Sequence, residues 1–111
     1  MAAELPIGTL LESSDGAHAH VLARKLNRHT FWCGQSGSGK TYALGVLLEQ
    51  VMLETELPLV ILDPNSDFVR LGEMRAGADR ASADELRSRD VRVLGRNGDH
   101  DLRVQFTNLP L

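Results

Sequence analysis

A glycine-rich stretch constrains this chain more than any other feature of its sequence. Residues 34–41 read GQSGSGKT and match the pattern GxxxxGK[ST] without a gap. This is the Walker A phosphate-binding loop, which requires a strand before it and a helix after it. Its glycines let the backbone turn successive N–H groups inward towards a phosphate. The pattern therefore predicts a strand, a phosphate loop and a helix in that order.

The residues on both sides of the loop match this requirement. Residues 30–33, TFWC, are rich in aromatic and β-forming types and predict a strand, with Trp32 in the core and Cys33 buried. After the loop, apolar residues recur at i, i+3, i+4 and i+7, which predicts a helix over about 40–53. Those apolar residues are Leu44, Leu47, Leu48 and Val51.

A second strand is predicted at residues 59–62. The run LVIL is continuously apolar and is closed by Asp63 and Pro64, as is typical of a strand buried on both faces of a parallel sheet. The two strands and the helix between them would form a right-handed parallel unit. We therefore predict an α/β fold, namely a P-loop NTPase-type three-layer domain with a parallel βαβ core that is incomplete in this chain.

Local patterns outside this unit are weaker. Residues 6–11 predict a short strand ending in a turn at 13–16, whereas 18–26 fits neither a helix nor a strand pattern. We interpret residues 1–28 as a lead-in segment and 29–111 as a partial P-loop ATPase domain.

The second half of the chain gives three further predictions. A short helix is expected over 67–74, followed by a mixed-charge, solvated segment through Asp90. The asparagine and glycine at 97–98 predict a hairpin between strands 91–94 and 102–106.

Composition bounds the functional classes without choosing among them. The chain has 111 residues, enough for one domain or part of one, and a net charge of −3, so it lacks the basic signature of a nucleic-acid binder. DNA contact through residues outside this chain stays open.

The single cysteine of the chain excludes an intramolecular disulfide and a zinc site built on several thiolates. Without a secretory signal or a run of membrane-spanning length, a cytoplasmic protein with no membrane partner is predicted.

Each position in the loop has a chemical task. The Lys40 ammonium is placed to reach the β- and γ-phosphates, and the Thr41 hydroxyl to coordinate Mg²⁺. The start of the following helix adds free N–H groups and the positive end of its dipole. ATP and Mg²⁺ are therefore the predicted cofactors. The predicted nucleotide-binding residues are Gly34, Gln35, Ser36, Gly37, Ser38, Gly39, Lys40, Thr41 and Tyr42.

Asp63 has two interpretations. An apolar strand ending in aspartate is typical of a Walker B site, where the carboxylate contacts Mg²⁺ or the attacking water. Alternatively, Asp63 caps the strand and has a structural role, since Pro64 rather than a glutamate follows it. We predict Lys40 and Asp63 as catalytic residues and Thr41 and Asp63 as Mg²⁺ ligands. The histidines have no metal-ligand spacing, so no other metal is expected.

Three segments resemble the start of HerA/FtsK-type ATPases, which are hexameric DNA-pumping motors. They are residues 26–30 (LNRHT), the loop 34–41 and residues 59–68 (LVILDPNSDF). The third segment departs from the family pattern, with Asn65, Ser66 and Asp67 where the family often has histidine, glycine and glutamate. Gln35 and Ser36 also differ from the commoner threonine-bearing loop.

The resemblance implies the ATP-binding domain of an ATP-dependent DNA translocase or helicase. It implies a homohexamer, and contact with double-stranded DNA through the full-length protein. No Asp-Glu strand end follows residue 71, so we expect an N-terminal fragment of a longer ATPase or a truncated product, with hydrolysis dependent on the rest of the domain. The alternatives are a small-molecule or nucleotide kinase and a regulatory module that binds nucleotide without hydrolysis. The preference between ATP and GTP stays open.

Overall fold

A computed structural model of the chain describes residues 3–73 and 79–95. These ranges contain one antiparallel sheet of two strands, two α-helices and a short 3₁₀ helix. Neither α-helix has the length and apolar character needed to cross a membrane. In chain order the elements are β1 (Glu4–Thr9), β2 (His18–Leu22), the 3₁₀ helix (Ala23–Lys25), α1 (Lys40–Glu54) and α2 (Arg80–Ser88).

Strands β1 and β2 form a hairpin, with an irregularity in the pairing between Pro6 and Gly8. The turn between them is closed by the Ala17 N–H, which donates to the Ser13 hydroxyl at 2.9 Å. Gly16 in this turn has φ +69°, a conformation that favours glycine. A first strand followed by a turn is thus confirmed, but the strand begins and ends two residues earlier than predicted, at Glu4 and Thr9. The ambiguous segment 18–26 is explained by a change from strand to 3₁₀ helix at Ala23.

Helix α1 confirms the helix predicted over 40–53 and packs on two sides. One side carries Leu47 and Val51, which join Leu5 of β1 and Ala23 in a first apolar cluster. The other side carries Met52, which joins two residues from later in the chain in a second apolar cluster. The second cluster comprises Met52, Leu71 and Leu86. The helix is therefore the element that links the hairpin to the rest of the described chain.

The predicted strands at 30–33 and 59–62 are wrong for this structure, because both segments are irregular. A strand needs backbone partners on a neighbouring strand, and the described residues contain only the β1–β2 pair. Phe31, Val60 and Leu62 are about 90% exposed, and Cys33 is exposed rather than buried. Helices and strands are both present, but the parallel βαβ core is not formed, and the three-layer fold stays a prediction.

The short helix predicted over 67–74 is also wrong for the residues the structure describes. Residues 68–73 form successive turns instead, in which the Leu71 N–H donates to Phe68 O at 3.1 Å and the Glu73 N–H to Arg70 O at 2.9 Å. These bonds join residues three apart, so the chain bends here without building an α-helix. Residues 91–93 are irregular, and the second strand of the predicted hairpin, 102–106, lies outside the described residues.

Helix α2 occupies the segment that we interpreted as a solvated mixed-charge face. Its N-cap is Asp79, and its buried residues are Ala83 and Leu86, spaced i and i+3 on one side. Arg89 just beyond its end pairs with Glu85 across one turn, with an Nη2–Oε1 distance of 3.1 Å. The sequence did not predict this short amphipathic helix, because charged residues surround its two buried positions.

Shortening Leu5 to Ala tests the first apolar cluster. Leu5 is fully buried, so Leu5→Ala leaves a cavity and should lower the free energy of unfolding by about 2–5 kcal/mol. Leu11 is 99% exposed, so the same substitution there should leave stability unchanged within about 0.5 kcal/mol. Urea unfolding of the two variants gives the comparison, and equal stabilities would contradict this packing.

The cap of α2 should make its helicity depend on pH. The Asp79 carboxylate accepts the Ser82 hydroxyl at 2.6 Å and the Ser82 N–H at 2.9 Å. These bonds, the hydroxyl bond first, hold the pKa of Asp79 below the ordinary aspartate value of 3.8. The charged cap therefore stabilises the fold above pH 3.8, and that contribution is lost as pH falls through the lowered folded-state pKa.

The matched variant is Asp79→Asn, which keeps an N-cap acceptor but does not titrate. Circular dichroism from about pH 6 to pH 2 should show less loss of helix in the variant than in the native chain. Superimposable pH curves would show that Asp79 does not act through its charge.

Candidate functional site

The glycine-rich loop 34–41 adopts backbone conformations that require glycine. Gly37 has φ +79° and Gly39 has φ +86°, both in the left-handed region. No atom lies within 4 Å of the position that a Cβ would occupy at either residue, so conformation rather than crowding demands glycine there. Gly39 is also the N-cap of α1, so the left-handed residue comes directly before the helix.

The loop folds back on itself and brings its two ends together. A Cβ placed on Gly34 would lie 2.7 Å from Ser38 Oγ and 3.5 Å from Lys40 Cβ. The Ser38 N–H donates to Gln35 O at 3.1 Å and closes the turn between them. A larger residue at position 34 would therefore displace the Ser38 side chain from its place in the loop.

The start of α1 is favourable for an anion. The first helical hydrogen bond runs from the Ala43 N–H to Gly39 O at 2.9 Å, so the amides of Lys40 and Thr41 have no acceptor within the helix. No side chain caps this end, and its first turn contains no acidic residue. The helix dipole adds a partial positive charge at the same place.

The predicted binding side chains lie open to solvent around this helix start. Residues 33–39 and Thr41 are exposed, and Lys40 is partly buried. Tyr42, in the first turn of α1, is 68% exposed. The loop thus forms a surface that a ligand can reach directly.

Trp32 has a role at the loop that the sequence did not indicate. Its indole N–H donates to the carbonyl oxygen of Lys40 at 3.2 Å, eight residues further along the chain. The ring is partly buried against the first apolar cluster, close to its predicted position in the core. The hydrogen bond to Lys40 is an additional contact that was not predicted. A tryptophan in an apolar run gives no signal of such a bond, because its partner is a backbone atom across the loop.

The carboxylate of Asp63 is engaged by the turn that follows it. Oδ1 accepts the Asp67 N–H at 2.9 Å, and Oδ2 accepts the Phe68 N–H at 2.8 Å. Within this turn Ser66 has φ +59°, at a position where the resembled family often has glycine. The carboxylate therefore holds together the segment in which the second motif departs from the family pattern.

Asp63 also borders a cavity of about 520 Å³. The walls of this cavity come from three segments, residues 55–63, 66–71 and 89–95, together with Met52. None of residues 34–42 lines it. The structure therefore brings Gly34, Gln35, Ser38 and Lys40 together in the loop but does not place Asp63 in a shared cavity with them.

Residues 3–73 and 79–95 contain no group of three or more His, Cys, Asp or Glu side chains that could hold a metal ion. His18 and His20 are neighbours on β2, with ring centroids 6.2 Å apart and an edge-to-face arrangement. Two imidazoles without a third ligand do not form a structural zinc site.

The chain matches a known protein family. A family model described as "Helicase HerA, central domain" matches residues 5–110, a range that includes the loop, α1 and the Asp63 turn. Comparisons with curated proteins and with solved structures found no match.

Substituting Gly37 tests whether the loop conformation matters for phosphate binding. Gly37→Ala places a Cβ on a residue with φ +79°, which costs about 1–2 kcal/mol, so affinity for inorganic triphosphate should fall roughly 5- to 30-fold. Gly8 in β1 has open space around its Cβ position, and Gly8→Ala should leave affinity unchanged. Isothermal titration calorimetry provides the measurement, and equal affinities in the two variants would show that the left-handed conformation is not used.

Proposed function

The chain belongs to the HerA helicase central-domain family, and we propose that it is the ATP-binding part of an ATP-dependent DNA translocase or helicase. Family membership supports the motor function, and the loop geometry supports the nucleotide site. One arrangement carries the proposal. Gly37 and Gly39 have left-handed backbone conformations, and Gly39 directly precedes α1, whose first amides have no acceptor within the helix. Such an arrangement favours a phosphate group.

The residues present fit a nucleoside triphosphate with Mg²⁺. A Cβ on Gly34 would lie 2.7 Å from Ser38 Oγ, so glycine there lets the loop close without displacing the Ser38 side chain. Lys40 would hold the β- and γ-phosphates, and the exposed Thr41 hydroxyl would coordinate Mg²⁺. When bound, Mg²⁺ neutralises charge that develops on the transferred phosphoryl group.

We assign the remaining predicted binding residues to supporting roles. Gln35, Ser36 and Ser38 shape the exposed loop, which contributes backbone amides to the phosphates. Tyr42, largely exposed one residue beyond Thr41, offers an aromatic face beside the bound nucleotide.

For Asp63 we propose a structural role first. Its two oxygens already accept backbone N–H groups, which fixes the carboxylate and orders the turn after it. Each carboxylate oxygen has a second lone pair, so an Mg²⁺ contact is compatible with these bonds. Pro64 rather than a glutamate comes directly after Asp63, so we propose that hydrolysis depends on groups supplied from elsewhere.

We propose double-stranded DNA and other copies of the chain as the macromolecular partners, as in a ring-shaped motor. The net charge of −3 gives no general attraction to DNA, so DNA contact would depend on local groups or on other parts of the assembly. Binding without turnover stays an alternative, supported by the engagement of Asp63 in its own turn.

Removing the loop ammonium tests the nucleotide site. Lys40→Ala deletes a charged donor to phosphate, so MgATP affinity should fall roughly 10- to 100-fold. Lys25, exposed at the end of the 3₁₀ helix, provides the control, and Lys25→Ala should bind MgATP normally. Calorimetric titration of the native protein and both variants gives the comparison. Unchanged affinity in Lys40→Ala would contradict the site.

Because hydrolysis would depend on groups supplied from elsewhere, the motor is distinguished from its alternatives with the full-length protein and its Lys40→Ala variant. Phosphate release from MgATP should rise when double-stranded DNA is added to the native protein but not to Lys40→Ala. Transfer of phosphate to a metabolite would indicate a kinase instead. Tight binding with no turnover, with or without DNA, would indicate a regulatory module.

A further inference from the structure

We infer that Trp32 is a positioning residue for the phosphate loop, and that its indole N–H holds the loop in the conformation that accepts a nucleotide. This inference rests on the proposed nucleotide binding and adds to it a residue outside the GxxxxGK[ST] pattern. Trp32 comes just before the loop, and the atom that it contacts comes at the loop's end.

One hydrogen bond connects the two ends of the loop. The indole Nε1 donates to Lys40 O at 3.2 Å, so residues 33–39 are bracketed between the donor and the acceptor. Those seven residues are exposed, and burial therefore does little to hold them. Among the described residues, a second link within 33–39 is the turn bond from the Ser38 N–H to Gln35 O.

The indole is itself held in place by packing. Its ring lies against the first apolar cluster, where β1 and the 3₁₀ helix meet α1. The Lys40 carbonyl belongs to the first turn of α1, and a carbonyl has two lone pairs, so it can accept the indole as well as a helical amide. Trp32 thus connects the first apolar cluster to Lys40, the residue whose ammonium we propose binds phosphate.

A loop that is ordered before binding loses less conformational entropy when the nucleotide arrives. Removing one neutral hydrogen bond that maintains this order should weaken nucleotide affinity roughly two- to tenfold. Because linkage is reciprocal, saturating nucleotide should favour the bonded state of the indole by the same factor.

The first measurement compares Trp32→Phe with the native protein by calorimetric titration with MgATP. Phenylalanine keeps an aromatic ring but lacks the N–H donor, so affinity should fall roughly two- to tenfold. The control is Ala83→Gly in α2, at a residue that is 1% exposed and belongs to neither apolar cluster. The control should lower the melting temperature yet keep native MgATP affinity when measured well below that temperature.

The second measurement follows hydrogen exchange of the indole N–H by NMR. Trp32 is the only tryptophan, so the native protein gives a single indole signal. Saturating MgATP should slow its exchange roughly two- to tenfold, and the effect should be absent in Lys40→Ala. A merely structural role in the core would leave this exchange unchanged by nucleotide.

The outcomes separate this inference from the function on which it rests. If the native protein binds MgATP, and either Trp32→Phe binds it equally well or the indole exchange does not respond, the positioning role is wrong while the nucleotide site stands. If the native protein binds no MgATP, both are wrong. Equal loss of affinity in Trp32→Phe and Ala83→Gly would assign the effect to general destabilisation and also overturn the role.

Discussion

Packing of α1 on two sides is the constraint on which the rest of the described structure depends. Leu47 and Val51 contact the hairpin, whereas Met52 contacts residues that follow in the chain. A helix held on both sides has a fixed axis, and its N-terminus is then fixed as well. The loop 34–41 ends at that N-terminus, so the apolar clusters determine where its amides and the Lys40 ammonium are presented.

The features predicted from the sequence were those set by neighbouring residues. The helix after the loop was predicted because apolar residues recur at its period, and α1 begins at the predicted Lys40. The left-handed conformations of Gly37 and Gly39 agree with the sequence pattern, because glycine is the residue that adopts them without steric cost. The first strand and its turn follow from β-forming residues before a serine and glycine turn.

The features that failed depend on distant partners. Residues 59–62 have the composition of a buried strand, but strand formation requires a neighbouring backbone, and Val60 and Leu62 are exposed here. Ile61, between them, packs beside the second apolar cluster, so only one side of this segment is covered. Helix α2 was missed because its two buried positions are separated by charges, and Ala83 alone carries little hydrophobic signal.

The candidate site shows the same division between local and distant effects. Its glycines and Lys40 could be named from spacing alone, whereas the bond from the Trp32 indole and the two amide bonds to Asp63 could not. Those bonds join side chains to backbone atoms, which any residue type supplies, so no sequence pattern marks them. They concern how the loop and the second motif are held, rather than which groups contact phosphate.

The most direct test of the central claim is an NMR titration of the ¹⁵N-labelled protein with MgATP. If the loop amides form the seat for the triphosphate, the largest shifts should occur at Gly37, Gly39 and Lys40, and inorganic triphosphate should reproduce them. Saturable binding with the largest shifts at residues 55–63 or 89–95, around the separate cavity, would contradict the claim, as would the absence of any shift.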